Sequence, residues 1–137
     1  MKTLKLKLVT PVKTIFDEDV EQVHLNTEDG EITVLPNHAP LVSILRPGIL
    51  TAKQEGKDVP MAVAGGAIEM FGNTLVILAD TAEHPDEIDL ERAEKKAQKL
   101  AQEIASKQTL DITTYKTLQR QLEREQARIG AVKRWRK

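Results

Sequence analysis

Residues 30–41 read Gly30-Glu31-Ile32-Thr33-Val34-Leu35-Pro36-Asn37-His38-Ala39-Pro40-Leu41, and the chain continues from there to Arg46-Pro47-Gly48. The opening glycine indicates a turn, and the residues after it form a strand-sized segment. Two prolines then bound a stiff loop around His38, and a second strand-sized segment follows. The stretch predicts β-strands separated by short connections.

Short segments of this kind fill the first 85 residues. Leu4, Leu6 and Leu8 alternate with lysines, which places the leucines on one face of an extended chain. Glycines and prolines separate the other segments, and we interpret Gly65-Gly66 as a tight connection between strands. Many short strands at such spacing predict a sandwich or barrel. The further predicted strands are Val20–Leu25, Glu31–Leu35, Leu41–Leu45, Ile49–Lys53, Val59–Val63, Ala67–Phe71 and Thr74–Ala79.

Residues 86–137 have the periodicity of helices. Asp86 and Asp89 follow Pro85 and are natural capping residues for a first helix, before a predicted turn at Ser106–Asp111. Two amphipathic helices with a short loop predict an antiparallel hairpin, so that the chain is α+β overall. The two apolar stripes are Leu90, Ala93, Ala97, Leu100, Ala101 and Ile104, then Tyr115, Leu118, Leu122, Ile129 and Val132.

The charges of the two parts differ in sign. Residues 1–85 carry 7 basic and 12 acidic side chains, whereas residues 86–137 carry 13 basic and 9 acidic ones. Arg120, Arg124 and Arg128 share one face of the second helix, nearly opposite its apolar stripe. This arginine stripe is either a solvated face or a recognition surface for phosphate, nucleic acid or an acidic protein.

Several classes of function lack a signal in this sequence. Without cysteine there is no disulfide, no thiolate metal site and no cysteine catalysis. His24, His38 and His84 lack the spacing of metal ligands, and no phosphate loop or nucleophile elbow is present. No apolar run is long enough to span a bilayer. We therefore expect neither catalytic residues nor a metal.

The 30–48 stretch strongly resembles the epsilon subunit of bacterial F-type ATP synthases. That family carries Gly-Glu-x-x-x-x-Pro-x-His-Ala-Pro-Leu followed by Pro-Gly, as residues 30–41 and 47–48 do here. Gly65-Gly66, Thr74–Ala79 and Ile88-Asp89-Leu90-Glu91-Arg92-Ala93 also agree with the family. The resemblance covers essentially the whole chain.

The resemblance implies a sandwich of about ten short strands in residues 1–85 and a helical hairpin in residues 86–137. The sandwich would bind the rotor, through the gamma subunit and the c-ring of the membrane sector. The hairpin would be regulatory: compact against the sandwich, or extended into the alpha and beta catalytic subunits to block ATP hydrolysis. Such a subunit is non-catalytic and peripheral, on the cytoplasmic face of the bacterial cell membrane.

The family also suggests site residues. Glu31 and His38 resemble residues that contact the rotor. Ile88, Asp89, Arg92 and Ala93 match a motif with which some members bind ATP as a regulatory ligand, and no cofactor is required. Further residues implied for ATP are Glu83, Arg124 and Arg128, and the basic face implied for inhibition is Arg120, Arg124, Arg128, Lys133 and Arg134.

A second interpretation is a β-sandwich adaptor whose basic hairpin binds nucleic acid or an anionic membrane. It predicts binding that weakens steeply with salt and needs no gamma subunit. The acidic first part and the specific 30–48 stretch count against it, so we expect neither nucleic acid nor membrane insertion.

Overall fold

The computed structural model describes residues 2–106 and 111–136. Eight β-strands precede a short 3-10 helix and two α-helices. The strands are β1 Leu4–Val9, β2 Thr14–Val20, β3 Gln22–Thr27, β4 Gly30–Val34, β5 Leu41–Ile44, β6 Gly48–Gln54, β7 Lys57–Phe71 and β8 Thr74–Glu83. The 3-10 helix is Pro85–Glu87, and the α-helices are α1 Leu90–Ser106 and α2 Ile112–Trp135.

The strands form one hydrogen-bonded network that folds into a β-sandwich. Its order is β2-β1-β8-β7-β6-β3-β4, and β5 also pairs with β7. The pair β1–β8 is parallel, whereas the other pairs are antiparallel. Leu4, Leu6 and Leu8 are buried in the core between alternating exposed lysines. The predicted fold class and the face of these leucines are confirmed.

Strand β7 differs from the sequence prediction. Val59–Val63 and Ala67–Phe71 belong to one strand of 15 residues. The register with β8 is the same on both sides of Gly65-Gly66, whose φ angles are +69° and +107°. The interpretation of these glycines as a connection was therefore wrong: their backbone freedom lets the strand continue through an unusual conformation.

The edge of the sheet also differs. The segment Val20–Leu25 is divided at Glu21 between β2 and β3, and most of β2 was not predicted. Asp17 and Asp19 lie opposite Lys7 and Lys5 of β1, and Lys5 Nζ is also 3.4 Å from Asp17 Oδ1. Merging two predicted strands and adding β2 gives eight strands in the described residues, rather than about ten.

Side-chain caps begin both α-helices. Asp89 Oδ1 accepts a hydrogen bond from the backbone of Arg92 at 3.1 Å, which confirms Asp89 as a cap. Asp111 Oδ1 accepts one from the backbone of Thr114 at 2.7 Å. Asp86 lies within the 3-10 helix instead. Residues 107–110 of the predicted turn lie outside the described residues.

The second half of α2 docks on the sandwich through a small apolar cluster, which we call the α2 seat. It consists of buried Ala62, Ile88, Ala131 and Val132, with Ile49 and Leu90 packed against it. The first half of α2 instead lies over a solvent-open cavity of about 550 Å³. Ion pairs connect the two walls of that cavity: Arg46–Glu123 at 2.7 Å and Arg120–Glu28 at 3.4 Å.

Replacing Asp111 by alanine should fray the start of α2, because the amide of Thr114 loses its acceptor. That hydrogen bond lowers the pKa of Asp111 below 3.8, so the cap stabilises the folded protein above that pH. The stabilisation is lost as the pH falls through the lowered pKa. Far-UV circular dichroism should show the wild-type advantage at neutral pH and its decline in acid. Asp111→Asn, which caps without titrating, is the control.

Candidate functional site

A buried carboxylate organises a group of charged side chains on α2. Glu125 is only 1% exposed. Nη1 of Arg128 lies 3.1 and 3.0 Å from its two oxygens, and Nε of Arg124 lies 3.2 Å from Oε2. Lys96 of α1 is 3.9 Å from the same Oε2. We call these four residues, with Glu83, the Glu125 cluster.

Arg128 connects this cluster to the end of the sandwich. Its Nε and Nη2 lie 2.7 and 2.6 Å from Oε1 of Glu83, the last residue of β8. Burial lowers the pKa of Arg128, but the hydrogen bonds and charges of Glu125 and Glu83 outweigh it and raise the pKa overall. The guanidinium therefore stays charged and bridges α2 to β8.

The residues implied for ATP lie in four different environments. Ile88 and Ala93 are buried, Ile88 in the α2 seat. Asp89 caps α1. Arg92 is exposed, and its guanidinium has no hydrogen bond or ion pair within residues 2–106 and 111–136. The structure brings Glu83, Arg124 and Arg128 together in the Glu125 cluster, without joining Arg92 to them.

The arginine stripe is not a free solvated face in this compact conformation. Arg120, Arg124 and Arg128 each pair with a carboxylate, and Arg128 is the most buried of the three, at 21% exposed. Tyr115 of the proposed apolar stripe is 44% exposed. Helix α2 packs between α1 and the sandwich and therefore has two covered faces. A helical wheel drawn from the sequence of α2 alone indicates only one. The remaining predicted basic residues, Lys133 and Arg134, are exposed.

Sequence reasoning assigned no site role to two members of this region. Glu125 stands three residues after Leu122 and four before Ile129, so it lies within the apolar stripe of α2. A charged residue at such a position is expected to be buried, and this was the available signal. Arg136 donates from Nη1 to the carbonyls of Pro85 at 3.2 Å and Ile88 at 2.7 Å. It fastens the end of α2 to the segment that joins sandwich and hairpin, and no sequence signal indicates this contact.

The two residues proposed for the rotor lie near opposite ends of β4. Glu31 is exposed, with Oε2 3.8 Å from Nε2 of His24 on β3. His38 follows the strand in the proline-bounded loop, where Nδ1 lies 2.7 Å from the carbonyl of Ala39. Asn73 holds this loop by accepting from the amide of Asn37 at 2.7 Å. Both residues are accessible, but they do not form one site.

An apolar surface lies beside that loop on the outside of the sheet. Four large hydrophobic side chains are exposed there, and Ile44 pairs with Ala67, which in turn pairs with Leu78. Because directly paired residues and every second residue of a strand share a face, the four lie on one side of the sheet. This outer-face patch consists of Val42, Ile44, Phe71 and Leu78, and the exposed side chain of Glu69, which pairs with Val42, lies on the same face.

No group of three or more metal-ligating side chains is found in the described residues. Within the same residues, neither helix is apolar enough over its length to cross a bilayer.

The sandwich with its helical hairpin can now be compared with known proteins. Residues 3–85 match the family model described as the ATP synthase, Delta/Epsilon chain, beta-sandwich domain. The class is thus that of ATP synthase subunits.

Relatives narrow this class. An ATP synthase epsilon chain of Desulforamulus reducens is 45% identical over 106 residues, covering 77% of this chain and 80% of the relative. One of Bacillus licheniformis is 39% identical over 112 residues, covering 82% and 85%. The chain belongs to the ATP synthase epsilon family.

Solved structures share the fold. A chain in the Euglena gracilis mitochondrial ATP synthase, described as OSCP/F1/c-ring, matches with a TM-score of 0.80 at 25% identity. The match covers 96% of this chain and 82% of that one. A chain in the Tetrahymena thermophila central stalk and c-ring matches in fold, with a TM-score of 0.60 at 16% identity over 96% and 99% of the two chains.

Proposed function

We propose that the chain is a non-catalytic central-stalk subunit, which couples the rotor to ATP synthesis driven by an ion gradient. Its sandwich, residues 1–85, binds the gamma subunit and the c-ring, at the cytoplasmic face of a bacterial membrane. Its hairpin, residues 86–137, regulates ATP hydrolysis. Support comes from the membership of the epsilon family and from the match to a chain in an ATP synthase structure described as OSCP/F1/c-ring.

The observation that carries the stalk role is the outer-face patch. Val42 is 77% exposed and Phe71 is 71% exposed, on a sheet whose opposite face covers the core. Exposed apolar side chains grouped on one face are typical of protein interfaces. The His38 loop directly precedes β5 and borders the patch, so one partner can contact both. We assign this face to the gamma subunit and the Glu31 end of β4 to the c-ring.

Replacing Val42 by aspartate should weaken co-purification with the gamma subunit at least tenfold, because a carboxylate in an apolar interface loses hydration without gaining a partner. The sandwich should remain folded, since the side chain is exposed. Pull-down of tagged gamma subunit measures the effect.

Val12→Asp is the matched control. Val12 is 88% exposed, in the turn between β1 and β2, and is not a member of the patch. Equal loss of binding in both variants would contradict the assignment of this face.

For the hairpin, we propose that the compact conformation permits hydrolysis and an extended one blocks it. In the extended conformation, the cations of the arginine stripe leave Glu28, Glu83 and the rest of the sandwich. They and exposed Lys133 and Arg134 would then face acidic surface on the alpha and beta subunits. In the compact form the stripe is already paired with carboxylates, which does not favour the nucleic-acid adaptor.

Deleting residues 86–137 should leave assembly intact and raise the ATPase activity of the complex several-fold, because the blocking element is gone. The expected outcome is an unchanged subunit ratio with faster hydrolysis, measured on purified complexes by phosphate release. Loss of the gamma subunit from the truncated complex would contradict an independent, regulatory hairpin.

We further propose ATP as a regulatory ligand that favours the compact form. Arg92 supplies an exposed cation for phosphate oxygens, and Arg124, Arg128 and Glu83 lie together where α2 contacts the end of β8. Titration calorimetry of ATP into the isolated subunit tests this, with Arg92→Ala expected to abolish binding.

A further inference from the structure

We propose that the carboxylate of Glu125 occupies the anion position formed by Arg124 and Arg128, so that the compact hairpin closes without a bound phosphate. Glu125 thereby sets the affinity of this position for nucleotide. The inference rests on the proposed role of the two arginines in binding ATP, and it adds the residue that opposes that binding.

Geometry supports an internal substitute for phosphate. Guanidinium groups bind carboxylate and phosphate oxygens through the same parallel N–H donors. Arg128 already directs Nη1 to both oxygens of Glu125, and Arg124 directs Nε to one of them. The other donors of Arg128, Nε and Nη2, are directed to Glu83. A polyphosphate therefore finds these donors already engaged by carboxylates.

Burial makes Glu125 hard to displace. The carboxylate is 1% exposed, whereas Glu83 is 27% exposed and Lys96 is 44% exposed. An ionised group taken out of water is retained only with charged partners, and Glu125 has three. Any ligand anion brought to Arg124 and Arg128 also meets the like charge of Glu125, which opposes it.

The charge balance shows what removal of Glu125 would do. The Glu125 cluster has three cations, Lys96, Arg124 and Arg128, against two carboxylates. Glu125→Gln keeps the shape of the side chain and raises the net charge of the cluster by one. The half-buried arginines are then short of an anion, which a polyphosphate can supply.

Binding of tripolyphosphate and of ATP should be compared between the wild type and Glu125→Gln by titration calorimetry. We expect the substitution to tighten tripolyphosphate binding at least tenfold, and ATP binding likewise. Glu123→Gln is the matched control: it lies on the same helix, is 20% exposed, and pairs with Arg46 rather than with the cluster. The affinity of the Glu123→Gln variant for tripolyphosphate and for ATP should match that of the wild type.

The indole nitrogen of Trp135, the only tryptophan, is buried in the docked hairpin, so the emission of this residue monitors whether the hairpin remains docked. If Glu125→Gln undocks it, tripolyphosphate should restore the wild-type emission. Unchanged affinity in a docked variant, or undocking that tripolyphosphate does not reverse, would overturn the inference. Weak ATP binding by the wild type would count against ATP as its regulatory ligand. The ratio of the tripolyphosphate affinities of Glu125→Gln and the wild type would still decide the role of Glu125.

Discussion

Gly66→Ala is expected to lower the free energy of unfolding by about 3 kcal/mol or more. A Cβ atom added there would lie 1.7 Å from the carbonyl oxygen of Leu78 on β8. The obstacle is backbone rather than a side chain that can rotate away, and φ is +107°, which L-residues rarely adopt. Relief requires β7 and β8 to separate where they form the centre of the sheet.

Urea unfolding followed by far-UV circular dichroism measures this loss. Gly30→Ala is the control, because Gly30 has a similar φ of +115° but no atom within 4 Å of an added Cβ. It should cost only the strain of the backbone, about 1–2 kcal/mol. Equal losses in the two variants would show that the close approach of β7 and β8 contributes nothing.

Arg128→Ala is expected to destabilise the docked hairpin by about 2–4 kcal/mol. The substitution leaves Glu125 buried with fewer partners and removes the contact with Glu83, and breaking a buried ion pair is costly. The loss should fall toward the lower part of this range because Arg124 and Lys96 still contact Glu125. Urea titration of Trp135 emission reports undocking of α2.

Arg120→Ala provides the comparison on the same helix. Arg120 is 66% exposed, and its partner Glu28 is 44% exposed, so this pair should contribute less than about 1 kcal/mol. Similar midpoints for both variants would mean that the Glu125 cluster does not hold the hairpin.

Local pattern was sufficient for the parts of the fold that depend on neighbouring residues. The alternation of Leu4, Leu6 and Leu8 predicts their burial, since side chains of a strand alternate between faces. Asp89 caps α1 because a short acidic side chain reaches the amide three residues later. The prediction of a connection at Gly65-Gly66 was wrong because two glycines indicate either a turn or a distorted strand. Only the strands that pair with them decide between the two.

The candidate site was less predictable because it depends on how elements pack. The spacing of Arg124 and Arg128 places them on one face of α2, but which element covers that face is a tertiary property. Burial of Glu125 follows from the approach of α1 and the sandwich to α2 from different sides. The hydrogen bonds from Arg136 to two carbonyls join residues about 50 positions apart. No local sequence pattern encodes a contact over that separation.

The continuity of β7 has a mechanical consequence. Phe71 of the outer-face patch and Ala62 of the α2 seat are carried by the same strand, and its ladder with β8 extends from one to the other. A load applied at the patch reaches the seat along two paired strands, with no loop between them, although the pairing skips Gly65. When the sandwich rotates, the docked hairpin therefore rotates with it. A signal that releases α2 must act on its own contacts, and not by bending the sheet beneath it.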